Sequence, residues 1–277
     1  MRRIMQGVAA ALIICGTTTV FTSCSANDDN PANGDGLAEK ITGKWIQVDS
    51  DGEPMVTDRV SVYTFVKEGA GLKAYFSMTM AESQTWLFRQ QVDVAVDAGS
   101  LTLTSPLANG STAVVRMTDV SVSGSDLSLT AKTTICVDGR ETATYGPHRE
   151  HFTSVSTNYS AEDIIGTWDG YYACDDPAYS KPDPHRAVFR ADGSCNYYYA
   201  DEGGEFKVDP TVYSKYFVDG SLLSLCWLDY GDDQREQYEN WEILSASKEK
   251  ITARSFHKSP DGTIYTETYH LSKVDED

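Results

Sequence analysis

The sequence predicts an all-β chain of two tandem antiparallel meander barrels, each entered through a short helical turn. Three observations carry that prediction. A phrase recurs: Ile41, Gly43 and Trp45 are answered by Ile164, Gly166 and Trp168, both glycines and both tryptophans being 123 residues apart. Apolar and polar residues alternate over short runs, as at Leu101 and Leu103, Val120 and Val122, and Leu127 and Leu129, the period of a strand with one wet face. Glycines preceded by Asp, Asn or Glu punctuate the chain at Gly52, Gly69, Gly110, Gly139, Gly193, Gly220 and Gly262. Such pairs suit the positive-φ positions of tight hairpins, so consecutive strands pair as a meander.

Taken in order, the chain begins with Met1, Arg2 and Arg3, followed by a largely apolar stretch from Gly7 to Val20 that Gly16 and three threonines interrupt. It is too short and broken for a comfortable membrane span and reads as a secretory signal over residues 1–23. The residues Phe21, Thr22, Ser23 and Cys24 resemble a bacterial lipobox, with Phe21 standing where Leu is usual. The resemblance implies that Cys24 is lipidated and becomes the mature N-terminus; an uncleaved anchor or an ordinary signal is the alternative. Residues 24–36 are polar and hold nothing that could build a core, so they form a tether. Their acidic residues resemble the surface-export signal of Bacteroidota lipoproteins. The address that follows is the outer membrane, at the cell surface or on the periplasmic face.

Two helical lead-ins, at residues 37–40 and 160–163, run into the glycine-tryptophan phrases, about one turn each. Beyond them no stretch keeps a 3.6-residue apolar period over a dozen residues. The landmarks then repeat in order: Phe65 with Phe189, Leu101 and Leu103 with Leu223 and Leu225, Leu127 with Ile251, and His151 with His270. Ordered repetition of this kind means duplication, with domains at residues 37–156 and 157–277. Each is about 115 residues, an ordinary size for one β domain, and short even strands favour an up-and-down barrel or a sandwich.

A helical lead-in, a Gly-x-Trp opening the first strand and a meander of hairpins resemble the lipocalin-like (calycin-type) domains of Bacteroidota lipoproteins, over nearly the whole mature chain. Phe189 to Ser194, Trp241 to Ser245, and the closing Tyr269 to Val274 extend the likeness, which is closer in the second copy. The resemblance implies that Gly43 and Gly166 let the first strand start close to its neighbour, and that Trp45 and Trp168 plug the closed end of each barrel. In that family an arginine of the last strand packs across the indole; Arg149 and Lys273 lie in the corresponding stretches, and a lysine there departs from the family pattern.

Charge narrows the function. The chain carries 23 basic and 41 acidic side chains. The signal segment holds two of the arginines and no acid, so the mature chain is more acidic still. That sign repels phosphate backbones and anionic headgroups, which excludes nucleic acid and leaves the lipid anchor as the means of membrane attachment. Apart from Cys24, the mature chain has Cys136, Cys174, Cys195 and Cys226 without a C-x-x-C pair. At most one disulfide is expected, inside the second copy.

If a barrel is open at one end, its inward residues line a pocket for a small hydrophobic or amphipathic molecule. The second copy is rich in tyrosine and tryptophan, and Tyr198 and Trp227 are the candidate ligand-binding residues. The alternative is a non-catalytic interaction module with filled barrels, binding glycan or protein through its outer surface. His148 and His151 have a spacing that strand geometry puts on opposite faces, and the acidic loop of Asp175, Asp176 and Asp183 lacks a calcium-loop spacing, so no metal is expected. No G-x-S-x-G, H-E-x-x-H or phosphate-loop motif is present, so neither an enzyme nor a cofactor is expected.

Overall fold

The computed structural model describes residues 34–55, 59–69, 71–80, 85–97, 99–107, 110–177, 183–201, 203–208, 214–228, 235–259 and 261–274. The signal segment and Cys24 lie outside the described residues, and the tether enters them only at Gly34. The described chain is nearly all β. It holds two nine-stranded antiparallel sheets, a helix α1 (Gly34–Ile41) and one 3-10 turn (Ala161–Asp163).

The first sheet contains β1 (Gly43–Ser50), β2 (Glu53–Pro54), β3 (Arg59–Glu68), β4 (Gly71–Met80), β5 (Thr85–Asp97), β6 (Ser100–Pro106), β7 (Thr112–Ser123), β8 (Asp126–Val137) and β9 (Arg140–Ser154). Each strand from β3 onward pairs with the next. β9 returns to β1, so eight strands close a barrel while β2 hooks onto the end of β1. Two of the hairpins use the turn chemistry their sequence carries. Asp51 and Gly52, and Asp138 and Gly139, all have φ between 49° and 80°, the doubly left-handed pattern that matches strand twist. Inside the barrel Tyr63 packs on Phe65, Phe76 and Phe152 at ring separations of 5.6–6.1 Å, among the buried Leu101, Met117 and Leu127.

The second sheet contains β10 (Gly166–Cys174), β11 (Asp183–Phe189), β12 (Cys195–Ala200), β13 (Phe206–Val208), β14 (Ser214–Asp219), β15 (Leu222–Leu228), β16 (Glu236–Ala246), β17 (Lys250–Lys258) and β18 (Ile264–Lys273). The meander again brings the last strand back to the first, β18 beside β10. Here closure is incomplete and the sheet is a curled half-barrel. Among the described residues its edges meet at the bridge of Ser194 with Lys215, where the Tyr216 N–H also donates to the Gly193 carbonyl at 2.8 Å. The repeat predicts two equal barrels; the absence of a paired ladder across this seam among the described residues is what makes the second one differ.

The glycine-tryptophan entrances of the two copies share backbone geometry and the indole hydrogen bond. Gly43 and Gly166 share φ +137°, a backbone that side chains other than hydrogen rarely adopt. Gly43 faces Phe65 and Gly166 faces Phe189. The Trp45 indole N–H donates to the Ile41 carbonyl and that of Trp168 to the Ile164 carbonyl, both at 2.7 Å, so each buried ring satisfies its one polar group on its own lead-in. The lead-ins differ in length. α1 has eight residues, more than the single turn expected, and Thr42 Oγ1 donates to the Ala38 carbonyl at its end. The second stays a single turn, where the Asp163 carboxylate accepts from the Ser160 N–H at 2.7 Å and from its hydroxyl at 3.0 Å.

The chain forms two compact units. One comprises Met1–Pro54, Val62–Ser77 and Arg89–Ser154; the other comprises Met55–Ser61, Met78–Phe88 and Val155–Asp277. Two short segments from the first repeat therefore belong to the second unit, which pattern along the sequence does not show.

Candidate functional site

The second sheet holds its apolar core at one end. Ile164, Trp168, Phe189, Leu223, Ile251 and Leu271 are all 2 % exposed or less and form a floor. The Lys273 ammonium lies 5.1 Å from the centre of the Trp168 ring and donates to the Ile165 carbonyl at 2.9 Å. In the first copy the residue facing Trp45 at that register is Ser154, and Arg149 lies opposite Thr130 with its backbone N–H donating to Asp51. Among the described residues, only the second copy carries a last-strand cation on its indole.

Above the floor is a cavity of about 310 Å³. Strand alternation builds its wall, because residues two apart on one strand share a face. β12 gives Tyr197 and Tyr199, β15 gives Leu225 and Trp227, β16 gives Glu239 and Trp241, and β18 gives Glu267 and Tyr269. Tyr172, His185 and Ser214 add to the wall from β10, β11 and β14, and Cys195, Cys226 and Tyr238 line it too, the last two out of step with the alternation of their strands. The sequence-predicted pair separates here. Trp227 lines the cavity. Tyr198 does not: it sits between two lining tyrosines, so alternation turns it to the other face, where its Cα partner is Arg186. Arg186 is itself engaged there with the Asp169 carboxylate through Nε at 2.5 Å and Nη2 at 2.7 Å.

The group that sequence reading missed is Glu239. Its Oε1 accepts from the Trp241 indole N–H at 2.5 Å and from the Tyr269 hydroxyl at 2.8 Å. The Tyr269 ring stacks on Trp241 with centroids 3.9 Å apart, which fixes both donors. The Tyr269 oxygen also lies 3.1 Å from Glu267 Oε2, which accepts from the Ser255 hydroxyl at 2.8 Å. Burial pushes the Glu239 carboxyl up from its ordinary value of 4.5; the two donated hydrogen bonds oppose that rise and the Glu267 charge adds to it. Beside it, the Tyr197 hydroxyl is buried and has no hydrogen-bond partner among the described residues. Glu239 stands in a strand between Tyr238 and Asn240, in a chain with 41 acids, and pattern alone cannot separate it from the solvated ones. Its i, i+2 spacing to Trp241 was the available signal.

The raised carboxyl has a consequence for stability. A folded-state value above the unfolded one means that the native state holds its proton more tightly, so stability falls as pH rises through that range. Glu239→Gln keeps an acceptor for both donors and removes the ionisation. The variant is expected to melt above the wild type at neutral pH and together with it near pH 4, as thermal scans at the two pH values will show.

The cysteines are all free among the described residues, within the limit of at most one disulfide that the sequence set for the second copy. Cys195 and Cys226 both line the cavity, and burial pushes each thiol up to about 12, which keeps them protonated and unreactive. In the first unit, Nδ1 of His148 lies 2.8 Å from Asp51 Oδ2 and Nδ1 of His151 lies 2.8 Å from Asp49, two separate pairs. Asp175 Oδ1 accepts from the Thr266 N–H at 2.7 Å and ties the acidic loop to β18. Among the described residues no group of three or more His, Cys, Asp or Glu side chains is placed to hold a metal, and no helix is long and apolar enough to cross a membrane.

No protein-family model matches the chain, and no curated protein matches it. Solved structures do. One is a DUF3598-family protein of unknown function from Nostoc punctiforme, at 9 % identity and a TM-score of 0.28, covering 85 % of this chain and 97 % of that one. Another is an AttH candidate from Nitrosomonas europaea, at 11 % identity and a TM-score of 0.23, covering 83 % and 91 %.

Proposed function

We propose that this chain is a lipid-anchored protein of the bacterial cell envelope whose second unit holds a small amphipathic molecule, without catalysing a reaction on it. The observation that supports binding is the cavity itself. Its 310 Å³ falls at the low end of the ~300–1,000 Å³ usual for ligand pockets, and its wall is mostly aromatic with a few placed polar groups. Anchoring through Cys24, an outer-membrane address and the absence of catalysis rest on the sequence motifs alone.

Native mass spectrometry of the full chain tests the binding. The expected spectrum shows a discrete adduct that denaturation releases. Trp227→Ala is expected to lower its occupancy several-fold and Tyr198→Ala to leave it unchanged, since only the first touches the cavity. A bare polypeptide mass from the native envelope would remove the support for a carrier. Fatty-acid labelling tests the anchor: the label is expected on the wild type and absent from Cys24→Ala, and its retention there would place the attachment elsewhere.

A second reading fits the first unit. Its interior is occupied by Tyr63, Phe65, Phe76 and Phe152, and a filled barrel has only its outer surface to offer a partner, glycan or protein. The first copy then acts as a spacer or interaction module while the second carries the ligand.

A further inference from the structure

We infer that the cavity of the second unit is built for a small organic cation, a primary or secondary ammonium group on an apolar body, with Glu239 as its counter-ion and the Tyr197 hydroxyl as a second acceptor. The inference rests on the binding role proposed above and specifies its ligand.

Three features of the wall point the same way. It contains two carboxyl groups, Glu239 and Glu267, and among the described residues no lysine or arginine lines it. An anionic ligand would have to enter a space with acidic groups and no positive side chain to meet it. Aromatic rings make up most of the remaining wall, and their faces carry the negative end of the ring quadrupole, which attracts cations. Lastly, the Tyr197 hydroxyl oxygen is buried, faces the cavity and lacks a hydrogen-bond partner among the described residues. A buried polar atom without a partner is costly, and an arriving N–H donor removes that cost. An ammonium bearing at least one N–H meets all three; a quaternary ammonium leaves the hydroxyl unanswered.

Burial holds the Glu239 carboxyl above its ordinary value, so its charged form is disfavoured relative to water. A bound cation reverses that preference. The carboxyl proton leaves to solvent as the ion pair forms, so one proton is released for each ammonium bound between the two carboxyl values. Affinity for the cation therefore rises with pH until Glu239 is ionised in the empty protein. The titratable groups that share the enclosure are Tyr172, His185, Cys195, Tyr197, Tyr199, Cys226, Tyr238, Glu267 and Tyr269. His185 is the one cationic candidate among them, and its protonation would oppose cation binding in the same pH direction; Glu239→Gln separates the two contributions.

The test compares three probes of one shape on the full chain in detergent: 2-phenylethylammonium, 2-phenylethanol and phenylacetate. Calorimetry and the fluorescence of Trp227 and Trp241 read the binding. The wild type is expected to prefer the ammonium at least tenfold over the alcohol and to exclude the acid. Heats measured in buffers of different ionisation enthalpy should show proton release at mildly acidic pH. Glu239→Gln is expected to bind the alcohol as before, to lose the ammonium preference and to release no proton. Tyr197→Phe, which deletes only the hydroxyl, should weaken the ammonium severalfold. Equal or tighter binding of the alcohol or the acid in the wild type would overturn the cation assignment and leave the cavity as a general apolar site. Failure of all three probes would also overturn the assignment, and with a bare native mass it would take the binding role with it.

Discussion

Gly170→Ala is expected to unfold the second unit at denaturant concentrations where the wild type is intact. A Cβ built on Gly170 would lie 1.9 Å from the His270 carbonyl oxygen, 2.8 Å from its carbon and 3.0 Å from the Leu271 Cα. These are backbone atoms of β18, so no side chain can swing aside. The two strands must separate where Gly170 faces Leu271, in the pairing that joins the first strand of this sheet to the last. Overpacking costs about 1–3 kcal/mol in ordinary cores, and each ladder hydrogen bond lost adds about 1 kcal/mol. A loss of about 3–5 kcal/mol is expected, a large part of the ~5–15 kcal/mol that holds a typical domain together. Urea titration followed by tryptophan fluorescence measures it. Gly36→Ala is the control: nothing lies within 4 Å of its Cβ position in α1, so that variant should be neutral or slightly stabilising. A Gly170→Ala midpoint within experimental error of wild type would mean that β10 and β18 are not as close as described.

The second large effect is expected at Trp168. The side chain is fully buried on the floor of the half-barrel, so its truncation to alanine removes the largest ring there and leaves a void. It also strips the Ile164 carbonyl of its donor and the Lys273 ammonium of its ring. Trp→Ala in a core costs about 3–5 kcal/mol. Lys273→Met is expected to cost under about 1 kcal/mol, because that ammonium is near the surface and a cation over a ring is worth little there. Trp45→Ala should resemble Trp168→Ala, since Trp45 is held by the same bond to its own lead-in. If the two tryptophan variants differed by several kcal/mol in the transitions of their own units, the two entrances would not be energetically equivalent despite their common geometry.

How far the chain can be read without coordinates is clearest at these residues. Gly43, Trp45, Gly166 and Trp168 announce themselves because local chemistry sets their roles. A left-handed backbone requires glycine, and a buried indole takes its acceptor four residues back on the same chain. Asp-Gly turns and alternating strands are also local, and they suffice to predict antiparallel meanders. Gly170 carries no such mark. Its constraint comes from a strand a hundred residues away, and nothing around Asp169 and Tyr171 signals that approach. Tyr198 shows the limit within a strand: three consecutive tyrosines satisfy either phase of the alternation, and a slip of one residue exchanges the inner and outer sets. The packing of Cys195, Tyr197 and Tyr199 toward the cavity chose the phase.

By itself the sequence determined the repeated phrase, the all-β meander and the residues that open each copy, because all of these follow from short-range periodicity, turn geometry and repetition. Tertiary structure alone decided that the first sheet closes while the second stays curled, since closure depends on how many bonds two distant edges make. It also decided which acid matters. Among the described carboxylates, Glu239 is set apart by donors from Trp241 and Tyr269, and the Tyr269 donor reaches it from another strand. Burial and cross-strand bonding are properties of the folded arrangement, and only the arrangement carries them.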